Sequence, residues 1–351
     1  MLSKVRIVGS GLIGTSIGLG LVQRGISVEM VDSDASAQAL AKDLTGGVVV
    51  VVDPDLVIFA LPTSGLAQVI KKEIAINPQS TFMDVGSVKN EVVLQVKTFS
   101  GLSTRFLPTH PMAGREIGGA GSARADLFQG RSWILTPEAD CAPGSKKLVL
   151  ELIAILGATP IELSALDHDA AVAKISHLPQ IAASLVAKQL TGTPTEWMEL
   201  AGQGLRDTTR IAGSDEKLWK EIIYSNRGEI SELLISLQND LTQMIKSLDD
   251  PAKIAELIAA GRNGKAMIPG KHGGKAREYS YLPIVIDDKP GQLGAIFNEC
   301  AAMQVNVEDL NIEHSPGQLS ALITLSLSAD DAEKLSSHLT SIGWNVHPVR
   351  K

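Results

Sequence analysis

Gly9-Ser10-Gly11-Leu12-Ile13-Gly14 follows the β-branched run Lys4-Val5-Arg6-Ile7-Val8 and opens a helical stretch. A strand, glycines at this spacing and a helix N-terminus together make an anion-binding turn. Gly9 permits the tight turn, Gly11 lets backbone approach a pyrophosphate, and Gly14 lets helix and strand pack closely. The second predicted strand ends at Asp32, the offset expected of a carboxylate that accepts from ribose hydroxyls. A dinucleotide site is predicted here, with Leu12 and Ile13 beside the glycines. Asp32 repels a 2′-phosphate and so favours NAD over NADP, while Ser33, with no Arg following, tolerates that phosphate without recruiting it. A turn of the same shape that holds no nucleotide is the alternative.

Three further strand ends carry reactive groups: Leu61-Pro62-Thr63 after Leu56–Ala60, Asp84-Val85-Gly86-Ser87-Val88-Lys89, and Pro108-Thr109-His110-Pro111-Met112-Ala113-Gly114. Ligands of open α/β sheets sit at the carboxyl ends of strands, so Leu61, Pro62, Thr63, Ser87 and His110 are predicted to converge on one crevice. His110 is the best-placed general base for an alcohol proton, and Ser87 offers a short hydroxyl. Arg206 and Arg210 stand four residues apart in a helical stretch. Paired guanidinium forks there suit carboxylate recognition, and surface pairing with Asp207, Asp215 or Glu216 explains them equally well. His177, in Ser176-His177-Leu178-Pro179, reads either as a ligand or as a satisfied core histidine.

The elements that must position these groups divide the chain. Its 351 residues exceed what one core usually serves, which predicts two or three domains. Residues 1–162 alternate β-branched runs with helical stretches, predicting an α/β Rossmann-type dinucleotide-binding domain with strands at Val5–Val8, Ser27–Val31, Val48–Val52, Leu56–Ala60, Thr81–Val85, Arg105–Thr109, Ser132–Thr136 and Thr159–Glu162. Residues 163–262 read as an all-helical dimerisation and substrate domain. It includes Leu166–Leu190 and a Pro-free stretch from Asp215 to about Leu248, which as a single helix would reach ~50 Å and needs a partner to bury its face. A homodimer is expected; a monomeric bundle punctuated by Pro194, Gly202, Gly204 and Gly228 is the alternative. A basic, Gly-rich linker is expected over 263–279. Residues 280–351 read as strand, helix, strand, strand, helix, strand, the ferredoxin-like βαββαβ pattern.

Composition excludes several partners. The chain is 44% hydrophobic, only 4% aromatic, and carries a net charge of −7. Such a chain has no basic surplus for nucleic acid or anionic lipid and few stacking platforms for bases. Cys141 and Cys300 fit no metal spacing, so no metal is expected and a reducing cytoplasm is the simplest location. The N-terminus leaves no room for a signal sequence before the first strand, and no apolar run approaches the ~18 residues of a membrane span.

Taken in order, Gly9–Ser16, Gly86-Ser87-Val88-Lys89, His110–Gly114, Ser176–Pro179 and Arg206-Asp207-Thr208-Thr209-Arg210-Ile211-Ala212 followed by Trp219 resemble the prephenate and arogenate dehydrogenase family of tyrosine biosynthesis. The tail resembles an ACT domain through Asp288-Lys289-Pro290-Gly291-Gln292-Leu293. The resemblance implies an NAD-dependent oxidative decarboxylation. In it His110 would draw the proton of the ring 4-hydroxyl as hydride leaves, Ser87 would position that hydroxyl and the nicotinamide, and Arg210 would hold a substrate carboxylate. It further implies that Asp288, Pro290, Gly291 and Leu293 form an effector site for tyrosine or a related amino acid; a purely structural tail is the alternative.

Two places in the sequence depart from the family. Gln180 stands where many members carry a second histidine, and Arg115-Glu116 follows His110–Gly114. Arg115 suits a substrate carboxylate and Glu116 the ammonium of arogenate, so the substrate stays open between prephenate and arogenate. More distant alternatives are a β-hydroxyacid dehydrogenase that would rely on Lys174, and a non-catalytic sensor of NAD and an amino acid.

Overall fold

The computed structural model describes residues 1–47, 49–115, 117–268, 279–314 and 320–350. The chain forms two compact units, Met1–Asn239 and Asp240–Lys351.

In the first unit, seven strands form one sheet: β1 (Lys4–Val8), β2 (Ser27–Val31), β3 (Leu56–Phe59), β4 (Thr81–Asp84), β5 (Phe106–Pro111), β6 (Ser132–Leu135) and β7 (Thr159–Glu162). Their order is β2-β1-β3-β4-β5-β6-β7. Pairing is parallel throughout except between β5 and β6. All four residues of β3 are buried, as a central parallel strand covered on both faces requires. One face packs Ile7, Ile58 and Met83 against Ile17 and Leu21 of the first helix, Leu12–Val22. On the other, Phe59 stacks on Phe82 and Phe106 with ring centroids 6.0 and 5.9 Å apart, so three of the chain's six Phe meet in one core.

The expected strand Val48–Val52 does not form over 49–52, and Val48 itself lies outside the described residues. The places on either side of β1 are taken by β2 and β3. Val51 donates its backbone N–H to the Glu29 carboxylate instead of to a neighbouring strand, and Val50 and Val52 are exposed. The expected strand Arg105–Thr109 runs on to Pro111, which puts His110 inside β5, paired with Ile134 of β6.

Helices follow β7. Ala165–Val172 and Leu178–Lys188 are joined by a π-helical turn, Ala173–His177. The resulting helix, Ala165–Lys188, is long and apolar enough to cross a membrane by length and composition, which the sequence reading had excluded. Its inward face nevertheless carries buried His168, Asp169 and His177, all hydrogen-bonded within the protein. The expected continuous helix from Asp215 is in fact two, Glu216–Ser225 and Arg227–Lys246, broken at Asn226. Asn226 leaves helical geometry (φ −108°, ψ 22°), and its buried amide is used elsewhere, as described below.

The second unit contains β8 (Ser280–Asp287), β9 (Asp309–His314), β10 (Ser320–Leu327) and β11 (Asn345–Val346), with helices Gln292–Ala302 and Ala329–Ser341. The antiparallel sheet runs β11-β8-β10-β9, with Leu282, Ile284, Ile323 and Leu325 packed on Leu335 and Leu339. Of the expected linker, residues 263–266 end the helix Pro251–Ala266, and 269–278 lie outside the described residues.

Candidate active site

The glycine turn has the geometry its spacing predicts. Gly9 has φ +115°, and a Cβ there would fall 2.1 Å from the carbonyl O of Ala60 in the adjacent strand end. A Cβ on Gly14 would fall 2.0 Å from the carbonyl O of Gly9. These two glycines are required by the protein itself. At Gly11 nothing lies within 4 Å of a Cβ, so its bareness serves something outside the fold.

Gly11, Leu12 and Ile13 line a cavity of about 650 Å³ together with Leu61, Pro62, Thr63, Ser87 and Arg115. The opposite wall comes from Ser214 and from Lys217 to Ile222 of the helix Glu216–Ser225. Thr63 and Ser225 share a hydrogen bond of 3.0 Å across this cleft. Asp32 stands behind the turn, accepting from the backbone N–H of Ser10 at 2.6 Å and of Asp34 at 2.9 Å. Its carboxylate is therefore fixed at the carboxyl end of β2, with lone pairs left for ribose hydroxyls. Ser33 beside it is exposed. A bare Gly11, a helix N-terminus and a tethered carboxylate fit a dinucleotide.

His110 is held from below. The fully buried ammonium of Lys89 donates to the Asp84 carboxylate and to the carbonyl O of Thr109 at 2.7 Å. The Thr109 hydroxyl donates to the carbonyl O of Asp84 at 2.7 Å and accepts from the Trp133 indole at 2.9 Å. Asp84 also accepts from the N–H of Gly86 at 2.8 Å. One buried ion pair thus ties the Gly86-Ser87 turn to the residue preceding His110. Burial pushes the Asp84 carboxyl up and the Lys89 ammonium down, each opposed by the partner's charge.

Above, His110 Nδ1 lies 2.9 Å from His168 Nε2, and His168 Nδ1 lies 2.7 Å from Asp169 Oδ1. Asp169 also accepts the backbone N–H groups of Lys89 and Asn90, both at 2.8 Å, capping the helix Asn90–Lys97. Although burial pushes Asp169 up, the His168 bond and these two amides hold it below the usual carboxylate range. Desolvation, reinforced by His168, Lys89 and His177, drives His110 well below 6.5. The ring is therefore neutral near pH 7 and able to accept a proton.

His177 is buried. Its Nδ1 is 3.1 Å from the Asn226 amide, which also donates to the carbonyl O of Asp169 at 2.8 Å, and its ring meets Trp219 edge-on. Desolvation lowers His177 to about 4. Gln180 has both ends of its amide engaged: Nε2 donates to the carbonyl O of Ile211 at 2.9 Å, and Oε1 accepts from Ser214 at 3.3 Å. It braces the turn Arg210–Gly213. Arg206 and Arg210 do not share one α-helical face, because the helix Gln203–Thr209 ends between them and Arg210 begins a 3₁₀ turn. Both are exposed and neither lines the cavity, whereas Arg115 does, donating to the carbonyl O of Ser122 at 2.9 Å. Glu116 lies outside the described residues. Lys174 is exposed on the π-helical turn and does not line the cavity.

Three site residues escaped the sequence reading: His168, Asp169 and Asn226. The available signal was Asp167-His168-Asp169 in the first turns of the helix after β7, where an acidic-imidazole pair enters directly from the sheet.

Two family models match consecutive stretches, prephenate dehydrogenase, nucleotide-binding domain over residues 17–162 and prephenate dehydrogenase, dimerization domain over 164–259. The chain belongs to the prephenate dehydrogenase family. A probable prephenate dehydrogenase of Streptomyces niveus is 28% identical over 355 residues, covering 96% of this chain and 98% of that protein. The prephenate dehydrogenase of Lactococcus lactis is 27% identical, covering 97% and 99%. Among solved structures, prephenate dehydrogenase from Aquifex aeolicus in complex with hydroxyphenyl propionate and NAD+ matches with a TM-score of 0.66 at 25% identity, over 76% of this chain and 96% of that one. This dehydrogenase is thus an NAD-dependent oxidoreductase, and its glycine turn and His110 both lie at the carboxyl ends of strands of one sheet.

Proposed function

We propose that the enzyme converts prephenate to 4-hydroxyphenylpyruvate with NAD, the carrying observation being a neutral, doubly anchored His110 at the strand ends that also bear the dinucleotide cavity. NAD, when bound, supplies the hydride acceptor. His110 takes the proton of the ring 4-hydroxyl. Ser87, on the neighbouring strand end, orients that hydroxyl. Arg115 at the cavity wall, with Arg210 and Arg206 exposed outside it, attracts a dianionic substrate in a chain whose net charge is −7. His177 shapes the apolar wall with Trp219, and Gln180 holds the Arg210 turn. Loss of the ring carboxylate as CO2 makes the ring aromatic and drives the reaction forward.

Prephenate is preferred to arogenate because Arg115, a cation at the cavity wall, favours the dianion over a substrate that carries an ammonium. The β8–β11 unit reads as an ACT domain in which Asp288, Pro290, Gly291 and Leu293 form an effector site for tyrosine. Gly291, at φ +91°, starts the helix Gln292–Ala302 and leaves Leu293 and Phe297 exposed beside it. The enzyme acts as a homodimer in the cytoplasm: Ile175, Leu185, Trp197 and Ile235 present exposed apolar side chains within the stretch that matches a dimerization domain. A side-by-side assay of prephenate and arogenate with NAD and NADP, repeated with tyrosine, tests the whole reading. Prephenate with NAD should dominate and tyrosine should inhibit. Preference for arogenate, or no turnover of either substrate while NAD binds, would overturn it.

A further inference from the structure

We propose that His168 and Asp169 form a proton relay behind His110 that fixes its tautomer and parks the substrate proton during turnover. The inference rests on the reading of His110 as the group that meets the substrate hydroxyl, and it adds two positioning residues to that chemistry.

Asp169 sets the direction of the hydrogen-bond chain. Its carboxylate accepts two backbone N–H groups at the start of the helix Asn90–Lys97 and is an acceptor toward His168 as well. His168 Nδ1 must therefore carry a proton. In neutral His168 the other nitrogen, Nε2, is then a lone-pair acceptor, and it lies 2.9 Å from His110 Nδ1. His110 Nδ1 accordingly donates, and His110 Nε2 is left bare. A bare Nε2 is the form a base needs to receive a hydroxyl proton.

The groups facing His110 reinforce this order. Lys89 below, and His168 and His177 from the helix after β7, all oppose a positive charge on its ring. An imidazolium on His110 would face the Lys89 ammonium, whereas one on His168 sits against the Asp169 carboxylate. His168 is fully buried, so this charge has no other compensation.

The proton balance closes within one turnover. The hydroxyl O–H bond breaks as an N–H bond forms at His110 Nε2. The Nδ1–H bond of His110 breaks as one forms at His168 Nε2, and Asp169 stays a carboxylate. The substrate carbon bearing that oxygen loses hydride to the nicotinamide and becomes a ring ketone. When the ring carboxylate departs as CO2, its electron pair aromatises the ring, and the oxygen takes the proton back along the same path to become a phenol. No net proton is released, which is why a reservoir two residues deep is enough.

The test has two readouts. In the free protein, with 15N-labelled histidine and no nucleotide or substrate, NMR at pH 7.5 should show protonated Nδ1 and bare Nε2 at both His110 and His168. It should also show a downfield proton on His168 Nδ1 that disappears in Asp169→Asn. Signals are assigned with His110→Gln and His168→Gln. Finding a bare Nδ1 and protonated Nε2 at His110 would overturn the relay whether or not prephenate is turned over. In steady state with prephenate and NAD, His168→Asn should lower kcat by about 10²-fold with KM little changed. It should also turn a two-proton solvent-isotope inventory into a one-proton one. A raised KM with unchanged kcat and an unaltered inventory would make His168 merely structural. Absence of prephenate turnover beside the expected NMR pattern would instead count against the substrate reading alone.

Discussion

The buried ammonium of Lys89 donates to the carbonyl O of Thr109 at 2.7 Å, one residue before His110. His110 is therefore set on a strand whose end is pinned by a charge with no solvent contact. Lys89→Met should leave Asp84 buried without its cation and destabilise the protein by about 3–5 kcal/mol, read from denaturant unfolding. If the loss is below about 1 kcal/mol, the pair does not anchor the site.

The glycines separate two kinds of demand. Gly14→Ala forces a Cβ against the Gly9 carbonyl and should lower stability by ~1–3 kcal/mol as well as abolish nucleotide binding. Gly11→Ala has room in the protein and should leave the unfolding midpoint unchanged, while raising the NAD Kd roughly tenfold or more, at least ~1.4 kcal/mol. Calorimetric titration of NAD into both variants checks the contrast. Equal NAD affinity in Gly11→Ala and the parent would remove the pyrophosphate from that turn.

His177 gives a pH signature of folding. Its pKa falls from 6.5 to about 4 in the folded protein, because burial disfavours the charged ring more than Asp169 supports it. The unfolded chain then binds more protons between those values, so stability is full above about 6.5 and declines as pH falls through that window. The loss reaches about 3 kcal/mol by pH 4. Unfolding curves at pH 7 and 4.5 should show the decline, and His177→Asn should flatten it. A parent protein equally stable at both pH values would contradict the burial argument.

Arg210 should act through binding. Charge-assisted hydrogen bonds are worth ~1.5–3 kcal/mol, so Arg210→Ala should raise KM for prephenate roughly 10- to 100-fold with a smaller effect on kcat. Gln180→Ala, which releases the brace on the Arg210–Gly213 turn, should move KM in the same direction by less. Parent-like kinetics in Arg210→Ala would leave it a surface charge.

Local signals made most of the fold legible. The glycine turn, Asp32, Ser87 and His110 each sit at a strand end, and a strand end announces itself by a β-branched run meeting small residues. Val48–Val52 shared that signal and misled, because a strand needs backbone pairing with a neighbour, and Val51 gives its N–H to the Glu29 side chain of β2 instead. His168, Asp169 and Asn226 were illegible for a different reason. Their roles arise from side chains meeting across 57 and 58 residues of sequence, where nothing local distinguishes a buried polar group from a surface one. Arg206 and Arg210 looked like a pair only while their helix was assumed to continue past Thr209.

The central claim is that His110 drives an oxidative decarboxylation, and the most direct measurement follows NADH and CO2 together for the parent enzyme and His110→Asn with saturating prephenate and NAD. The parent should release one CO2 per NADH. The variant should bind NAD as the parent does, yet lose turnover by about 10²- to 10⁴-fold, the range general-base loss commands. Undiminished turnover in the variant, or NADH formed without CO2, would contradict the account.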